Sequence, residues 1–514
     1  MIEVPDRYNV ADAFVDRHIR EGRGGRTAIT CGPRQLTYAE IAEQINRAGN
    51  ALLEMGVQEE QCVMLLLPDI PEFVVAYFAA MKIGAVAVPT NTFLRESDYA
   101  YFLDESRARA LIVHSSNYAQ VEPILAGRKY LRHVIVCGEP VEGSQHWEAL
   151  LSSSSPALEH AASSKDDPAF WLWTSGSTGL PKAAIHLHQD WIHCAEHYAR
   201  GILRIGADDV TFSSSKLFHA YGLGNGLIFP FHVAARTVLN AGRPQAAAIL
   251  ETVEKTKPTL FFSVPTLYAA MLQEADRRQC DFSSVRLAVS AAEPLPAEIF
   301  RRWQKRFGVE ILDGIGSTEV LHIYVSANAG RVKPGSSGQP VPGYDLRIVD
   351  SGGQEVPAGT IGDLWVCGRS TAPGYWNRSH FSKDRMRGEW FVTGDKYYRD
   401  EDGYYWYAGR TDDMFRVSGQ WVSPNEVESA LMEHGAVLEA AVVAFEEETK
   451  LFTPKAFVVL KDSIEQSPEL VCHLQDFVKQ RITPYKYPRR IEFVSELPKS
   501  AAGKVLRYKL REPR

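Results

Sequence analysis

The sequence predicts an α/β fold: a large N-terminal domain of doubly wound sheets plus a β-rich subdomain, then a small α+β region at the C-terminal end. Three observations carry that expectation. Short apolar runs such as CVMLLLP, ALIVHS, HVIVCG, TLFFSVP and VRLAVSAAE alternate with segments of helical apolar spacing, the pattern of parallel sheets sandwiched by helices. Beyond Gly335 the texture changes to Gly, Pro, Trp and Tyr turns between short alternating strands, which reads as antiparallel structure. From GRTDDMFRVSGQW, residues 409–421, the alternation of helix and strand resumes. At 514 residues the chain is too long for one core and holds two or more domains.

In chain order, TYAEIAEQINRAGNALLEMG has helical spacing, with Thr37 and Glu40 placed for a capping box. CVMLLLP follows as a buried strand, and VVAYFAAMKIGAVAVPTN repeats the helix and strand pair. Residues 139–167, rich in Ser, Glu and Ala, read as a surface excursion without a motif. In the β-rich part, residues 335–409, hairpins are expected at SGGQ and RDEDG. The last region supplies the helix NEVESALMEHG, the strands LEAAVVAFEE and KAFVVLKD, and a helix ending near Arg481. The expected division is residues 1–409, a boundary segment 410–413 around Asp412, and residues 414–514.

Composition narrows the function. A net charge of −7 and a pI near 6.1 argue against a nucleic-acid binder. Seven scattered cysteines without a CxxC pair suggest free thiols in a reducing cytosol. The charged N-terminus has no apolar core of a secretory signal. The most apolar stretch, residues 62–88, is broken by Pro68, Asp69, Pro71, Glu72 and Lys82, so no membrane partner is expected.

Residues 173–182 read WTSGSTGLPK directly behind an apolar run. Glycines let successive N–H groups converge on an anion, Thr174, Ser175, Ser177 and Thr178 offer hydroxyls around Gly176, and Lys182 adds charge. That is phosphate-handling chemistry, although Ser/Gly-rich turns also serve as plain connectors, and the spacing is not that of a P-loop. SAAEPLP (residues 290–296) and DGIGSTEVLH (residues 313–322) each follow a β-like run, so the three turns are expected to gather at one edge of a doubly wound sheet. Gly316, Ser317 and Thr318 repeat the phosphate-cradling logic, and Glu319 is a candidate Mg²⁺ ligand, direct or through water. Glu319 also suits the plainer role of a helix N-terminal charge. Asp395 can accept from a ribose diol and Arg410 can donate to ribose or phosphate. Lys504, in LPKSAAGK, reads by itself as a solvated charge.

TSGSTGLPK, GSTE, TGD, GRTDD and LPKSAAGK stand together in the order found in the adenylate-forming superfamily of acyl-CoA synthetases, adenylation domains and luciferases, and almost the whole chain resembles that superfamily. The resemblance implies a hinge at Asp412 and a small mobile C-terminal domain that serves two half-reactions in turn. A carboxylate attacks the α-phosphate of ATP, and a thiol then attacks the acyl-adenylate. It implies catalytic roles for Lys504, Glu319 and Thr318, and nucleotide contacts from the glycine loop, Lys182, Ala292, Glu293, Pro294, Asp313, Gly314, Ile315, Gly316, Ser317, Asp395, Tyr407 and Arg410. After rotation, Val417, Ser418 and Gly419 would line the coenzyme A tunnel. Lys486, Arg489 and Arg490 would meet its phosphates or form a solvated basic face.

Within the superfamily, DGIGSTEVLHIYVS, GSSGQPVPGYDLRIVD and KLFHAYGLGN look most like the benzoate-CoA ligase branch. The implied aryl pocket is His219, Ala220, Tyr221, Ala291, Gly316, His322 and Ile323, a flat slot with an aromatic wall. His219 stands where benzoate ligases often carry Phe. Its imidazole either bonds an amino or hydroxyl substituent, which brings in 2-aminobenzoate, or is a packing residue indifferent to substituents. The implied partners are an aryl acid, ATP with Mg²⁺, and CoA. A carrier protein loaded in trans is the competing acceptor; a luciferase-type oxygenase and a non-catalytic scaffold are weaker readings. The branch resemblance also implies a soluble cytoplasmic enzyme and allows a homodimer, for which these residues define no interface. HCAEH, residues 193–197, matches a zinc-protease pattern, but it lies directly behind the phosphate loop where the superfamily has a packed helix.

Overall fold

The computed structural model describes residues 2–174, 180–410, 413–417, 420–447, 452–461, 464–499 and 505–511. Two large sheets form the N-terminal part. The seven-stranded sheet runs Gln145–His146, His133–Cys137, Ala110–His114, Cys62–Leu66, Val86–Pro89, Pro168–Thr174, Lys182–Leu187, parallel except for the last pairing. The nine-stranded sheet is parallel from Ile311–Gly316 through Leu287–Ser290, Leu260–Ser263, Val210–Ser213 and Arg236–Leu239 to Thr27–Cys31, and antiparallel at both ends.

Local chemistry explains these elements. Tyr38–Glu54 is a helix whose capping box is complete: the Thr37 side chain accepts from Glu40 N–H, and the Glu40 carboxylate accepts from Thr37 N–H. Pro71–Lys82 is buried on every side, as a helix packed within the core must be. Its buried charge at the C-terminal end, Lys82 Nζ, is held by Asp16 and Asn46, each at 2.6 Å, which compensates its burial. Residues 139–167 depart from a plain surface excursion. They add the edge strand Gln145–His146 and the helix Trp147–Ser153, whose Trp147 is buried; one apolar anchor in a polar stretch left no periodic signal.

The β-rich subdomain is an antiparallel sheet of Tyr344–Val349, Gly362–Gly368, Met386–Arg387, Trp390–Arg399 and Tyr405–Arg410, with the RDEDG turn joining the last two. Its inner residues join the same apolar core as both large sheets. The C-terminal region has a core of its own, where helices Pro424–Met432 and Pro468–Arg481 pack on the strands Val437–Glu446, Phe452–Leu460 and Arg490–Phe493. No helix among the described residues is long and apolar enough to cross a membrane.

Candidate active site

The three motif turns do not share one sheet edge. The strand before the glycine-rich loop, Pro168–Thr174, belongs to the seven-stranded sheet and pairs antiparallel with Lys182–Leu187, while SAAEP and GSTE follow neighbouring strands of the nine-stranded sheet. The site therefore forms where two sheets meet. GSTE also leads into a returning strand and not a helix: Ile311–Gly316 gives way to a 3₁₀ turn, Thr318–Val320, and then to antiparallel Ile323–Ser326. Leu321, at φ 73°, makes the reversal.

That turn is held from several sides. Thr318 O accepts from His186 Nε2 at 2.8 Å, Glu319 O from Ala372 N–H at 2.7 Å, and Val320 O from Ser370 Oγ at 2.8 Å. Glu319 is buried, and its Oε1 accepts from the Tyr375 hydroxyl at 2.7 Å. It is not a surface helix-terminal charge. Lys182 pairs across from Thr174, and its Nζ lies 4.6 Å from the Phe381 ring centroid. Burial lowers the Lys182 pKa, while the charge of Glu319 acts to raise it. Among the described residues no group of three or more His, Cys, Asp or Glu could hold a metal. One buried carboxylate beside hydroxyls nonetheless fits Mg²⁺, which takes one or two protein carboxylates and otherwise keeps water and phosphate.

Around the SAAEP loop, Ala292 takes a left-handed φ of 75°, and Glu293 Oε1 accepts from Val505 N–H at 3.2 Å across from the C-terminal region. Asp313, expected at the nucleotide, is buried beneath it: its Oδ2 accepts from Leu295 N–H at 3.3 Å, and burial pushes its carboxyl well above the usual range. This places Asp313 as a support for the loop containing Pro294. Asp395 and Arg410 face each other on paired strands with Nη1 3.2 Å from Oδ1, and Tyr407 packs edge-on to Tyr397 at 5.4 Å.

The aryl candidates come together. Gly316 pairs with Ile323, and a Cβ added at Gly316 would lie 2.6 Å from His322 O, so only glycine fits that crossing. Gly314 is similarly crowded by Val325 O, and Ile315 between them is half-buried. Ala220 and Ala291 are buried small residues. The Tyr221 hydroxyl faces the Ser263 and Val289 carbonyls at 3.2 and 3.1 Å, which pins its ring 5.6 Å from that of His322. His322 Nε2 lies 3.1 Å from Asn225 Oδ1, and burial lowers the His322 pKa to about 3, so the ring is neutral. His219 caps the short helix Ala220–Leu223; its ring packs edge-on to Phe218 at 4.6 Å, its side chain makes no hydrogen bond among the described residues, and burial lowers its pKa to about 4. The segment is tied to the other sheet by Asp69 Oδ1, which accepts from Leu217 N–H at 3.1 Å.

Ser175, Gly176, Ser177, Thr178, Asp412, Ser418, Gly419 and Lys504 lie outside the described residues. Ser317 is half-buried beside the turn, and Val417 is buried in the C-terminal core. The basic trio expected at CoA phosphates is already engaged: Lys486 with Glu426 at 2.7 Å, Arg490 with Glu447 at 2.9 Å, and Arg489 over the Tyr487 ring at 3.9 Å. In HCAEH, Glu196 Oε1 accepts from His232 at 2.8 Å, and the His193 and His197 rings stack at 6.3 Å. Tyr375, Asn225, His186 and Asp190 were missed. Asn225 closes the KLFHAYGLGN motif but was not assigned a role there, and the other three come from segments without a motif of their own.

An α/β core that sets the Thr318–Glu319 turn against the Gly316–Ile323 pairing agrees with the class of nucleotide-dependent acid-activating enzymes, and the chain belongs to the AMP-binding enzyme family. That family matches residues 15–376, and the AMP-binding enzyme C-terminal domain matches residues 426–504. Within it the chain stands in the benzoate-CoA ligase branch. It is 48% identical to a benzoate–CoA ligase of Thauera aromatica over 99% of this chain and 97% of that protein. Among solved structures, the anthranilate CoA ligase AuaEII in complex with anthranoyl-AMP superposes with a TM-score of 0.95 at 42% identity, over 99% and 97% of the two chains. A benzoate CoA ligase from Burkholderia xenovorans LB400 gives 0.92 at 43%, over 98% and 100%.

Proposed function

We propose that the protein is an ATP-dependent aryl acid:CoA ligase acting through an acyl-adenylate on benzoate or a substituted benzoate, with 2-aminobenzoate a candidate substrate. One observation supports this: Gly316, paired with Ile323, leads directly into the Thr318–Glu319 turn, so a ring seated against that pairing beside Tyr221 and His322 would present its carboxylate to the phosphate site. A carboxylate oxygen bonds to the α-phosphorus as pyrophosphate leaves. The thiol sulfur of CoA then bonds to the acyl carbon as AMP leaves. The protein's part is positioning and charge stabilisation.

In this reading Lys182 and the glycine loop bind phosphates, Thr318 orients the α-phosphate, and Asp395 and Arg410 grip the ribose. Glu319 would hold Mg²⁺, which when bound neutralises phosphate charge. Tyr375 fixes Glu319 by donating to one oxygen, which leaves the other for water or metal. Lys504 serves adenylate formation, and Val417 to Gly419 the passage of CoA after the C-terminal domain turns at Asp412. The neutral imidazole of His219 has hydrogen-bonding capacity that no described residue uses, which suits an ortho-amino group. Seven free cysteines agree with a cytoplasmic setting.

The test is AMP release with benzoates, cinnamates and fatty acids, with and without CoA, and chromatography of the thioester. Turnover confined to benzoates with aroyl-CoA formed supports the proposal. Pyrophosphate exchange without thioester would assign a carrier-protein acceptor instead.

A further inference from the structure

We infer that the buried His186–Asp190 pair is a positioning device for the Thr318–Glu319 turn during adenylate formation, an inference that rests on the function proposed above. Both side chains are fully buried. His186 Nδ1 lies 2.8 Å from Asp190 Oδ2, and His186 Nε2 lies 2.8 Å from the carbonyl oxygen of Thr318. A carbonyl can only accept, so Nε2 carries a hydrogen. One further proton sits between Nδ1 and Oδ2, and Nε2–H is retained whichever of the two atoms holds it. The carboxyl thus locks the ring in the donor form that the turn requires. Leu187 N–H also donates to Asp190 Oδ2 at 3.0 Å, and the Phe170 ring lies nearly parallel to the imidazole, 5.0 Å away. Orientation and tautomer are both fixed.

The strand Lys182–Leu187 gives the pair its purpose. Side chains two residues apart share a face, so Lys182, Ala184 and His186 form one row. Lys182 interacts with the charge of Glu319, Ala184 bridges to Tyr375, whose hydroxyl bonds Glu319, and His186 takes Thr318 O. His186 meets the turn directly, while Lys182 acts on it through the charge of Glu319 and Ala184 through Tyr375. Thr318 O also closes the turn through Leu321 N–H at 3.2 Å. A buried ionisable pair is a costly way to fill space that apolar side chains would fill as well, and this pair touches neither solvent nor the aryl slot. Holding the turn accounts for it.

The experiment compares the parent with His186→Gln, which keeps an N–H near the Nε2 position, with His186→Leu, and with His186→Leu/Asp190→Leu, which removes the pair as a unit and avoids a lone buried carboxyl. Benzoate-dependent ATP–pyrophosphate exchange, thiolysis of supplied benzoyl-AMP, and hydrogen exchange of the Val320 and Leu321 amides are measured. Loss of a buried hydrogen bond at the turn, which leaves Thr318 O without its side-chain donor, predicts about 20-fold slower exchange chemistry for both Leu-containing variants, with thiolysis and the KM for benzoate within about threefold. His186→Gln should recover to within about fivefold of the parent, and the two amides should exchange about tenfold faster without the pair. Equal loss of both half-reactions, unchanged pyrophosphate exchange, or unchanged amide protection would overturn the inference. A parent without benzoate-dependent exchange would fail the proposed function instead, and the amide readout would still decide the role of the pair.

Discussion

In the proposed reading, His219 is the residue that would meet the ring substituent. Its neutral imidazole is half-buried at the helix start beside Phe218, with no protein hydrogen bond among the described residues. His219→Phe should lower the preference for 2-aminobenzoate over benzoate, in kcat/KM, by about tenfold, the value of one hydrogen bond in a buried site; an unchanged ratio would make His219 a packing residue. Gly316 is constrained by the backbone: Gly316→Ala sets a Cβ 2.6 Å from His322 O, and nothing there is a flexible side-chain end. We expect about 1–3 kcal/mol of destabilisation in urea unfolding, with a raised KM for the aryl acid. Lys504→Ala should nearly abolish pyrophosphate exchange and spare thiolysis of a supplied adenylate; equal loss of both would contradict its assignment to the first half-reaction.

At the scale of elements, the sequence was most legible where periodicity and caps agree. The Tyr38–Glu54 helix begins at its capping box, and the all-apolar runs became parallel strands because both of their faces are covered. The motif turns were legible as chemistry but not as geometry. Nothing in WTSGSTGLPK distinguishes a turn between antiparallel strands from one leading into a helix, and the run VLHIYVS after GSTE conceals a reversal made by a leucine at positive φ. The resemblance implies a nucleotide contact for Asp313; its burial and its bond to Leu295 N–H depend on tertiary packing that the motif does not encode. Tyr375 and Asp190 were invisible for the same reason. They reach the Thr318–Glu319 turn from an isolated bridge and a short helix distant from it in sequence, and a lone tyrosine or aspartate carries no periodic signal.

At the scale of the whole molecule, five histidines couple stability to acid. Burial lowers the pKa values of His18, His188, His193 and His219 to about 4 and that of His322 to about 3, from the ordinary 6.5. The unfolded chain therefore binds more protons in acid. Stability is fully present above about pH 6.5 and is lost as the pH falls toward 4. Denaturant midpoints should be flat between pH 7 and 8 and fall below 6.5; a midpoint unchanged at pH 5 would mean these rings do not titrate as their burial requires. The two cores meet where Glu293 receives the amide of Val505, the residue next to Lys504. Glu293→Gln weakens that charge-assisted bond and should slow adenylate formation severalfold, leaving thiolysis within twofold, when the two half-reactions are assayed separately.

The most direct test of the ligase assignment is product stoichiometry with benzoate or 2-aminobenzoate, ATP, Mg²⁺ and CoA. The account predicts one AMP, one pyrophosphate and one aroyl-CoA per acid consumed, with pyrophosphate exchange persisting when CoA is omitted. ADP and orthophosphate in place of AMP and pyrophosphate, or adenylate that CoA does not discharge to a thioester, would contradict it.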